Sequence, residues 1–427
     1  MKKRNILVFP CGSEIGLDIY NSIKYSTHFH LIGASSTADH GQFVYTDYIS
    51  GLPFLGMDLI PYLVKIVKER QVDAIYPTMD SVITLLKEHE AELGCPVISS
   101  PLHTVKTCLS KRQTYLALSG IIDTPVVYDA LTVPDNAFPI FAKPDIGYGA
   151  RGTKLLHTRS EMERFLAEQK EDVLLLEYLP GEEFTVDCFT DKDGKLLYSA
   201  GRKRNRIKNG ISVNTFFLED QSIFNELAKT INQHLKFRGA WFYQVKCNSQ
   251  GNLCLLEVAS RIGGSSLLSC AVGVNLALLS LFDTFGFPVN IVKNNYRVEL
   301  DRALGSKYKM DLSFDSVYCD YDDCLILDNN QLNVQLVSFL YQCVNEKKKL
   351  FLLTKHEASD LRDELKHFRI DNLFDEIIRI EKTEDKALYI SADNPIFIDD
   401  SHSERANVKA KLSIPVFSPD MIDTLLQ

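Results

Sequence analysis

A series of short apolar runs, each closing on one charged or hydroxyl-bearing residue, constrains this chain more than any other feature. Phe138-Pro139-Ile140-Phe141-Ala142 runs into Lys143, Val173-Leu174-Leu175-Leu176 into Glu177, and Leu253-Cys254-Leu255-Leu256 into Glu257. The pattern recurs where Val317-Tyr318-Cys319 meets Asp320, Leu350-Phe351-Leu352-Leu353 meets Thr354, and Pro395-Ile396-Phe397-Ile398 meets Asp399 and Asp400. Runs of this length, rich in Leu, Ile, Val and Phe, read as buried strands. A strand that buries its length and presents a polar group at its carboxyl end is how sheet-based folds carry ligand sites.

The arrangement along the chain changes twice. Ile6–Phe9, a Gly12–Gly16 turn, the helical spacing Ile15-Ile19-Ile23 and the run His30–Ala34 make a strand, loop, helix and strand. A helix over Leu59–Arg70, a strand over Asp73–Pro77, a helix over Val82–Leu93 and a short strand over Pro96–Ile98 continue it, which predicts parallel α/β closing near Pro101. Gly12-Ser13-Glu14-Ile15-Gly16 lacks the full Gly-x-Gly-x-x-Gly pattern and reads as a tight turn. After Ser110 short strands alternate with helices, beginning with a helix over Lys111–Ser119, in α+β texture to about Phe285; after a polar stretch, Phe314–Cys319 restarts a buried strand. The expectation is an α/β and α+β multidomain chain with three domains, 1–100, 101–311 and 312–427.

Composition removes several function classes. With 47 Lys+Arg against 56 Asp+Glu, and one basic cluster at Arg202–Lys208, the chain lacks the electrostatic footprint of a nucleic-acid binder. The longest apolar stretch, Leu267–Phe282, contains Ser269, Asn275 and Ser280, too polar and short to span a bilayer. Ten cysteines without Cys-x-x-Cys spacing read as small buried thiols, and a cytoplasmic location is expected. His28, His30, His40, His89, His103, His356, His367 and His402 show no zinc-ligand spacing and are read as solvated or core-capping.

Lys143 places a point charge beside the loop Asp145–Thr153, whose Gly147, Gly149 and Gly152 let backbone N–H groups approach phosphate oxygens. The strand ending at Glu177-Tyr178-Leu179 offers backbone partners to a base, and Glu183, after the Pro180-Gly181 break, an acceptor to ribose hydroxyls. Glu257 can hold Mg²⁺, with Arg261 four residues on to steady a phosphoryl group. Together these segments resemble the ATP-grasp superfamily, in the branch of the carbamoyl-phosphate synthetase large subunit and the carboxylate–amine ligases, over roughly residues 1–310. The resemblance implies a pre-ATP-grasp domain (1–100) and a two-lobed ATP-grasp domain (101–311). It matches Lys111 and Lys143 to phosphate-contacting lysines, Gly149 and Gly152 to the phosphate loop, and Glu177 and Leu179 to the adenine edge. It also matches Glu183 to the ribose carboxylate, Gln244 and Glu257 to the metal side, and Arg261 to the transferred phosphate. One position departs: where the family usually reads Glu-x-Asn-Pro-Arg, this chain reads Glu257-Val258-Ala259-Ser260-Arg261, so that Gln244, Ser260 or water must replace an amide ligand, or the metal site is weakened.

Asp320-Tyr321-Asp322-Asp323 sets two alternate aspartates at a strand end, one able to attack phosphorus and the other to shuttle a proton. Residues 312–427 resemble the haloacid dehalogenase (HAD) superfamily, a Rossmann-like fold. That resemblance implies Asp320 as nucleophile, Asp322 as acid/base, Thr354 as phosphate-contacting hydroxyl and Lys386, over Lys382, as the motif lysine. Asp320, Asp322, Asp399 and Asp400 would form the metal side, and Cys324 stands where Thr is common.

The combined expectation is an ADP-forming ligase working through an acyl phosphate, fused to a Mg²⁺-dependent phosphohydrolase. It would use ATP and Mg²⁺ or Mn²⁺, with a small carboxylate, an amine and a phosphoester as partners, and neither nucleic acid nor membrane. A homodimer is left open. The alternatives are an ATP-grasp carboxylase or phosphoryl transferase, and a degenerate nucleotide-binding sensor with only the HAD-like unit catalytic.

Overall fold

The structure is a computed structural model that describes residues 2–426 except 148, 150, 170–171, 209, 304, 306–307, 309–310, 328–329 and 358–360. The chain forms two compact units, Met1–Leu304 and Gly305–Gln427.

The first unit opens with a four-stranded parallel sheet in the order Tyr48–Ile49, Phe29–Ala34, Arg4–Phe9, Val72–Pro77. Ile6 and Val8 enter one core and Leu7 and Phe9 another, so that the strand is covered on both faces. That is why its sequence is a continuous apolar run rather than an alternating one. Ser13 caps the helix Glu14–Ile23 by accepting from the Gly16 amide at 3.0 Å. Two expected elements differ. Pro96–Ile98 reduces to a single bridge of Val97 to Ile75, and the helix expected over Val82–Leu93 is two, Asp80–Glu88 and Glu90–Leu93, broken at His89 and stopped by Gly94 in the left-handed region.

Two further sheets follow in the same unit. One has four strands in the order Val127–Tyr128, Val173–Glu177, Ile140–Pro144, Lys154–Leu156, paired antiparallel. The other is a six-stranded antiparallel sheet in the order Leu253–Ala259, Gly239–Cys247, Glu183–Thr190, Leu196–Lys208, Ile211–Phe217, Glu299–Asp301. The helix Ser222–Leu235 packs Phe224, Ala228 and Ile231 against Val186, Trp241 and Tyr243. The boundary expected near residue 100 runs through a shared core, since Ile6, Val8 and Phe29 pack in one cluster with Phe189, Tyr198 and Leu281.

The second unit is a five-stranded parallel sheet in the order Glu376–Arg379, Lys349–Thr354, Ser316–Cys319, Pro395–Ile398, Val416–Phe417. Its helices Val334–Asn345 and His402–Leu412 are capped by Asn333 and Ser401. The strands Ser316–Cys319, Lys349–Thr354 and Pro395–Ile398 are adjacent, so Asp320, Thr354 and Asp399 leave the same sheet edge together. Among the described residues, no helix is long and apolar enough to cross a membrane.

Candidate functional site

In the first unit, Lys111, Lys143, Gly149, Glu177, Leu179 and Glu183 line one cavity of about 290 Å³, and Gln244 and Glu257 line it too. Residues more than a hundred positions apart are brought together by sheet pairing. Gln244 is the direct antiparallel partner of Glu257, so both side chains leave the sheet on one face. Gly152 is not among the lining residues. It has φ +69, and a Cβ there would come within 2.8 Å of Pro144 Cγ, so its glycine serves the turn rather than a phosphate.

Lys143 is only 8% exposed. Its Nζ donates to the Tyr115 hydroxyl at 2.9 Å and to the Leu256 carbonyl at 3.0 Å, and Tyr115 donates to the same carbonyl at 2.8 Å. Burial pushes the ammonium down to about 8; Glu257 opposes that and neighbouring Lys111 adds to it. Lys111 is oriented by Asp145, whose carboxylate accepts from Ser110 Oγ and the Arg112 amide at 2.7 Å each, while Lys111 Nζ donates to the Asp145 carbonyl at 3.1 Å.

Glu183, expected at a ribose, faces the cavity already paired: Arg204 Nε is 2.7 Å from Oε1 and Lys246 Nζ 3.7 Å from Oε2. Both cations line the cavity. Lys246 was missed, although it lies two residues beyond Gln244 on the same strand and therefore on the same face. The basic run divides by burial along its strand. Arg202 is buried against Asp187 at 2.8 Å, Arg204 reaches the cavity, and Arg206 pairs with Asp301 at 2.6 Å near solvent.

Arg261 departs from expectation. It does not line that cavity; its guanidinium is held by Asp80, with Nε 3.0 Å from each carboxylate oxygen and Nη2 2.8 Å from Oδ2. The physical reason is a carboxylate at the start of the helix Asp80–Glu88, just after the strand Val72–Pro77, that meets the fork of the guanidinium bidentately. Ser260 is similarly engaged, with Ser99 Oγ at 2.8 Å from its carbonyl and 2.9 Å from its hydroxyl, which leaves Gln244 or water to complete any metal set at Glu257.

The second unit gathers a compact polar centre. Lys386 Nζ is 2.6 Å from Asp399 Oδ2 and 3.0 Å from Asp320 Oδ2, while Lys382 is exposed and pairs with Glu357. Burial opposes the Lys386 charge, but Asp320 and Asp399 together outweigh it and raise its pKa. Asp399 is pushed up to about 6, first by burial and then by the like charge of Asp320. Thr354 is buried beside Asp320, and its hydroxyl accepts from the His356 amide at 3.1 Å. Cys324 packs the loop, with Sγ 3.8 Å from the Ile398 carbonyl.

Carboxylate oxygens of Asp320, Asp399 and Asp400 lie within 4.8 Å of one another, and Asp320 Oδ1 is buried with no partner. Three converging carboxylates with one orphaned oxygen fit a hard divalent cation. Asp322, expected among the metal-side residues, is instead turned to His356, whose Nδ1 is 2.7 Å from Oδ1. His356 also reaches Glu364 at 3.3 Å, and Tyr321 donates to Glu364 at 2.6 Å. His356, expected to be solvated or core-capping, instead joins this network; its position two residues past Thr354, at a site-bearing strand end, is the signal in the sequence.

Residues 169–302 match a family model described as ATP-grasp in the biosynthetic pathway with Ter operon. Among solved structures, the chain is similar to Campylobacter jejuni biotin carboxylase in a complex with β,γ-ATP, at TM-score 0.60 and 15% identity over 70% of this chain and 75% of that one. L-amino acid ligase from Bacillus licheniformis aligns at TM-score 0.55 and 16% identity, over 68% and 75% of the two chains. Rhizobium etli pyruvate carboxylase aligns at TM-score 0.57 and 16% identity over 68% of this chain, which spans 29% of that enzyme's length. No curated protein sequence matches. The chain shares the fold of these enzymes, and the ATP-grasp match lies within the first unit.

Proposed function

We propose that the first unit is an ADP-forming carboxylate–amine ligase that works through an acyl phosphate, with residues 1–100 as a pre-ATP-grasp domain and 101–311 as the grasp. The observation that carries this reading is the single cavity shared by Lys111, Lys143, Glu183, Gln244 and Glu257. In it, the Glu177–Leu179 edge takes the adenine, and the carboxylate of Glu183, balanced by Arg204 and Lys246, faces the ribose. Lys111 and Lys143 meet the phosphates, with Gly149 leaving backbone room for them. Gln244 and Glu257 would hold Mg²⁺ or Mn²⁺, which supplies positive charge to the terminal phosphates when bound. As the γ-phosphoryl group passes to a substrate carboxylate, charge moves between oxygens that fixed cations stabilise without reorganising. An amine then displaces phosphate from the acyl carbon.

For the second unit we propose an HAD-like Mg²⁺-dependent phosphohydrolase of 312–427, in which Asp320 attacks phosphorus and Asp322 moves the proton. Lys386 and Thr354 hold the phosphoryl oxygens, and Asp399 and Asp400 join Asp320 as cation ligands. The substrates are a small carboxylate, an amine and a phosphoester in the cytoplasm.

A sensor reading is favoured by one observation, the methyl group of Ala259 where an amide ligand is usual. ADP release measured against a mixed amino-acid pool separates the two. A ligase shows substrate-stimulated turnover; nucleotide binding without stimulation overturns the ligase reading. Asp320→Asn should abolish phosphoester hydrolysis and leave ADP release intact, whereas loss of both activities would count against independent sites.

A further inference from the structure

We propose that Arg405 is a positioning residue for the divalent cation of the second unit, holding the backbone of Asp399 and Asp400 so that the Asp400 carboxylate stays turned to those of Asp320 and Asp399. This rests on the phosphohydrolase reading and adds to it a residue from the first turn of the helix His402–Leu412.

The three carboxylates of that cluster are not held alike. The Asp320 amide donates to the Ile398 carbonyl at 2.9 Å and the Asp399 amide to the Phe417 carbonyl at 3.1 Å, so both backbones are still tied to the parallel sheet. Their side chains are fixed as well. Lys386 Nζ is 3.0 Å from Asp320 Oδ2 and 2.6 Å from Asp399 Oδ2, and Asp399 Oδ1 accepts from the Ser401 amide at 2.8 Å. Asp400 lies one residue past that ladder and is exposed, and among the described residues its carboxylate has no hydrogen-bond partner. Yet a carboxylate oxygen of Asp400 lies within 4.8 Å of those of Asp320 and Asp399. Its backbone is what is held: Arg405 Nη1 donates to the Asp399 carbonyl at 2.5 Å and to the Asp400 carbonyl at 2.6 Å. The two hydrogens of one terminal nitrogen thus meet two consecutive carbonyls.

The guanidinium comes from an anchored turn. Ser401 caps the helix by accepting from the Glu404 amide at 3.4 Å, and the Glu404 carboxylate accepts from Lys355 Nζ at 2.6 Å, which ties the first turn to the segment after Thr354. The buried, unpartnered Asp320 Oδ1 stands in the same cluster. Like charges repel, so without a cation Asp400 gains by turning away, and a fixed backbone limits how far it can go. Outer groups that orient metal ligands are worth roughly 10- to 100-fold in affinity. A simpler role, one more positive charge beside the cluster, has the opposite sign: such a charge repels the metal, and its removal would tighten binding.

The test titrates the full chain with Mg²⁺ by calorimetry without nucleotide; the heat lost in Asp320→Asn marks the second unit's cluster, apart from any Mg²⁺ at Glu257. Arg405→Met should weaken that binding by about tenfold or more, while phosphoester hydrolysis at saturating Mg²⁺ returns to within about threefold of the unaltered chain. Lys409→Ala, which removes a tie to the Ile414 carbonyl at the far end of the same helix, should change Mg²⁺ affinity by less than about twofold. Because the effect runs through Asp400, Arg405→Met combined with Asp400→Asn should bind no more weakly than Asp400→Asn alone. Arg405→Lys keeps the charge and a donor and should recover all but about two- to threefold. That residual loss should vanish in the Asp400→Asn background, and it carries the test if the methionine variant fails to fold. Unchanged or tighter Mg²⁺ in Arg405→Met, additive effects with Asp400→Asn, a rate loss that saturating Mg²⁺ leaves in place, or an unaltered chain that binds no Mg²⁺ at this cluster would each overturn the proposal. Failure of the phosphohydrolase reading is a separate result, seen as Mg²⁺ binding that depends on Arg405 without phosphoester hydrolysis.

Discussion

Among the described residues two lysines are buried, and their surroundings push them in opposite directions. Lys143 in the first unit has neutral partners, the Tyr115 hydroxyl and the Leu256 carbonyl, and burial lowers it to about 8. Lys386 in the second is 2% exposed, yet two carboxylates within 3.0 Å outweigh burial and raise it. Burial sets the cost of a charge; the neighbours decide whether the fold or a ligand offsets it. Lys143 is a cation left short of anions, suited to an arriving triphosphate. Lys386 is neutralised by the protein, and the excess there is of carboxylate, suited to a cation.

The comparison breaks most visibly if either lysine is replaced by methionine. Lys386→Met leaves Asp320 and Asp399 facing each other without their cation and should cost about 3–5 kcal/mol, the usual penalty for breaking a buried pair from one side. Hydrogen exchange in the strands Ser316–Cys319 and Pro395–Ile398 should accelerate accordingly, while fluorescence of Trp241, the chain's single tryptophan and a residue of the first unit, should report unchanged unfolding there. Lys143→Met removes a charge that burial already disfavours, so stability should hold or rise, yet ATP turnover should fall by roughly 10²- to 10³-fold. Comparable unfolding of both variants would show that the two lysines are not different in kind.

A smaller effect sharpens the same contrast through pH. Phosphate oxygens entering the cavity favour the charged form of Lys143 and raise its pKa from about 8, so nucleotide binding near pH 8 should take up protons and weaken as pH rises further. Calorimetry in buffers of different ionisation enthalpy reads this directly; proton release would contradict it. The sign for folding is the reverse of a stabilising ion pair. Because the folded pKa lies below the ordinary lysine value, the unfolded chain holds the proton longer. Lys143 therefore adds stability as pH climbs from about 8 toward the ordinary lysine value of 10.5.

How much of this was legible follows from what local sequence encodes. Lys143, Glu257, Asp320 and Asp399 were visible because each ends an apolar run, and run and charge are neighbours in the chain. The strand pattern of the second unit, Ser316–Cys319, Lys349–Thr354 and Pro395–Ile398, was legible for the same reason. What stayed hidden are partners chosen by folding: Tyr115 for Lys143, Lys246 for Glu183, His356 for Asp322 and, above all, Asp80 for Arg261. Asp80 carries no local signal, and Arg261 is expected at a transferred phosphate; only the shared core joining the leading sheet to the antiparallel one brings them together. The overcalled strand at Pro96–Ile98 is the converse case, an apolar triplet too short to pair beyond Val97.

The least effect expected, and the one that bears on the sensor reading, comes from restoring the amide at position 259. Ala259 lies two residues past Glu257 on the same strand, opposite Phe242, and is 5% exposed. Strand alternation puts the Glu257 and Ala259 side chains on one face, so an asparagine there would direct its carbonyl oxygen toward the Glu257 and Gln244 pair. Without a cation that amide is a buried polar group short of partners, and Ala259→Asn should cost about 1–3 kcal/mol in chelator. With Mg²⁺ and nucleotide present the oxygen gains a ligand role, and the variant should recover most of that loss with a few-fold lower Mg²⁺ requirement for ADP release. A cost that Mg²⁺ and nucleotide leave unchanged would mean that no cation sits within reach of position 259. The charged wall of the cavity would then hold nucleotide through Lys111, Lys143 and Arg204 alone, as a sensor requires and a phosphoryl-transferring site does not.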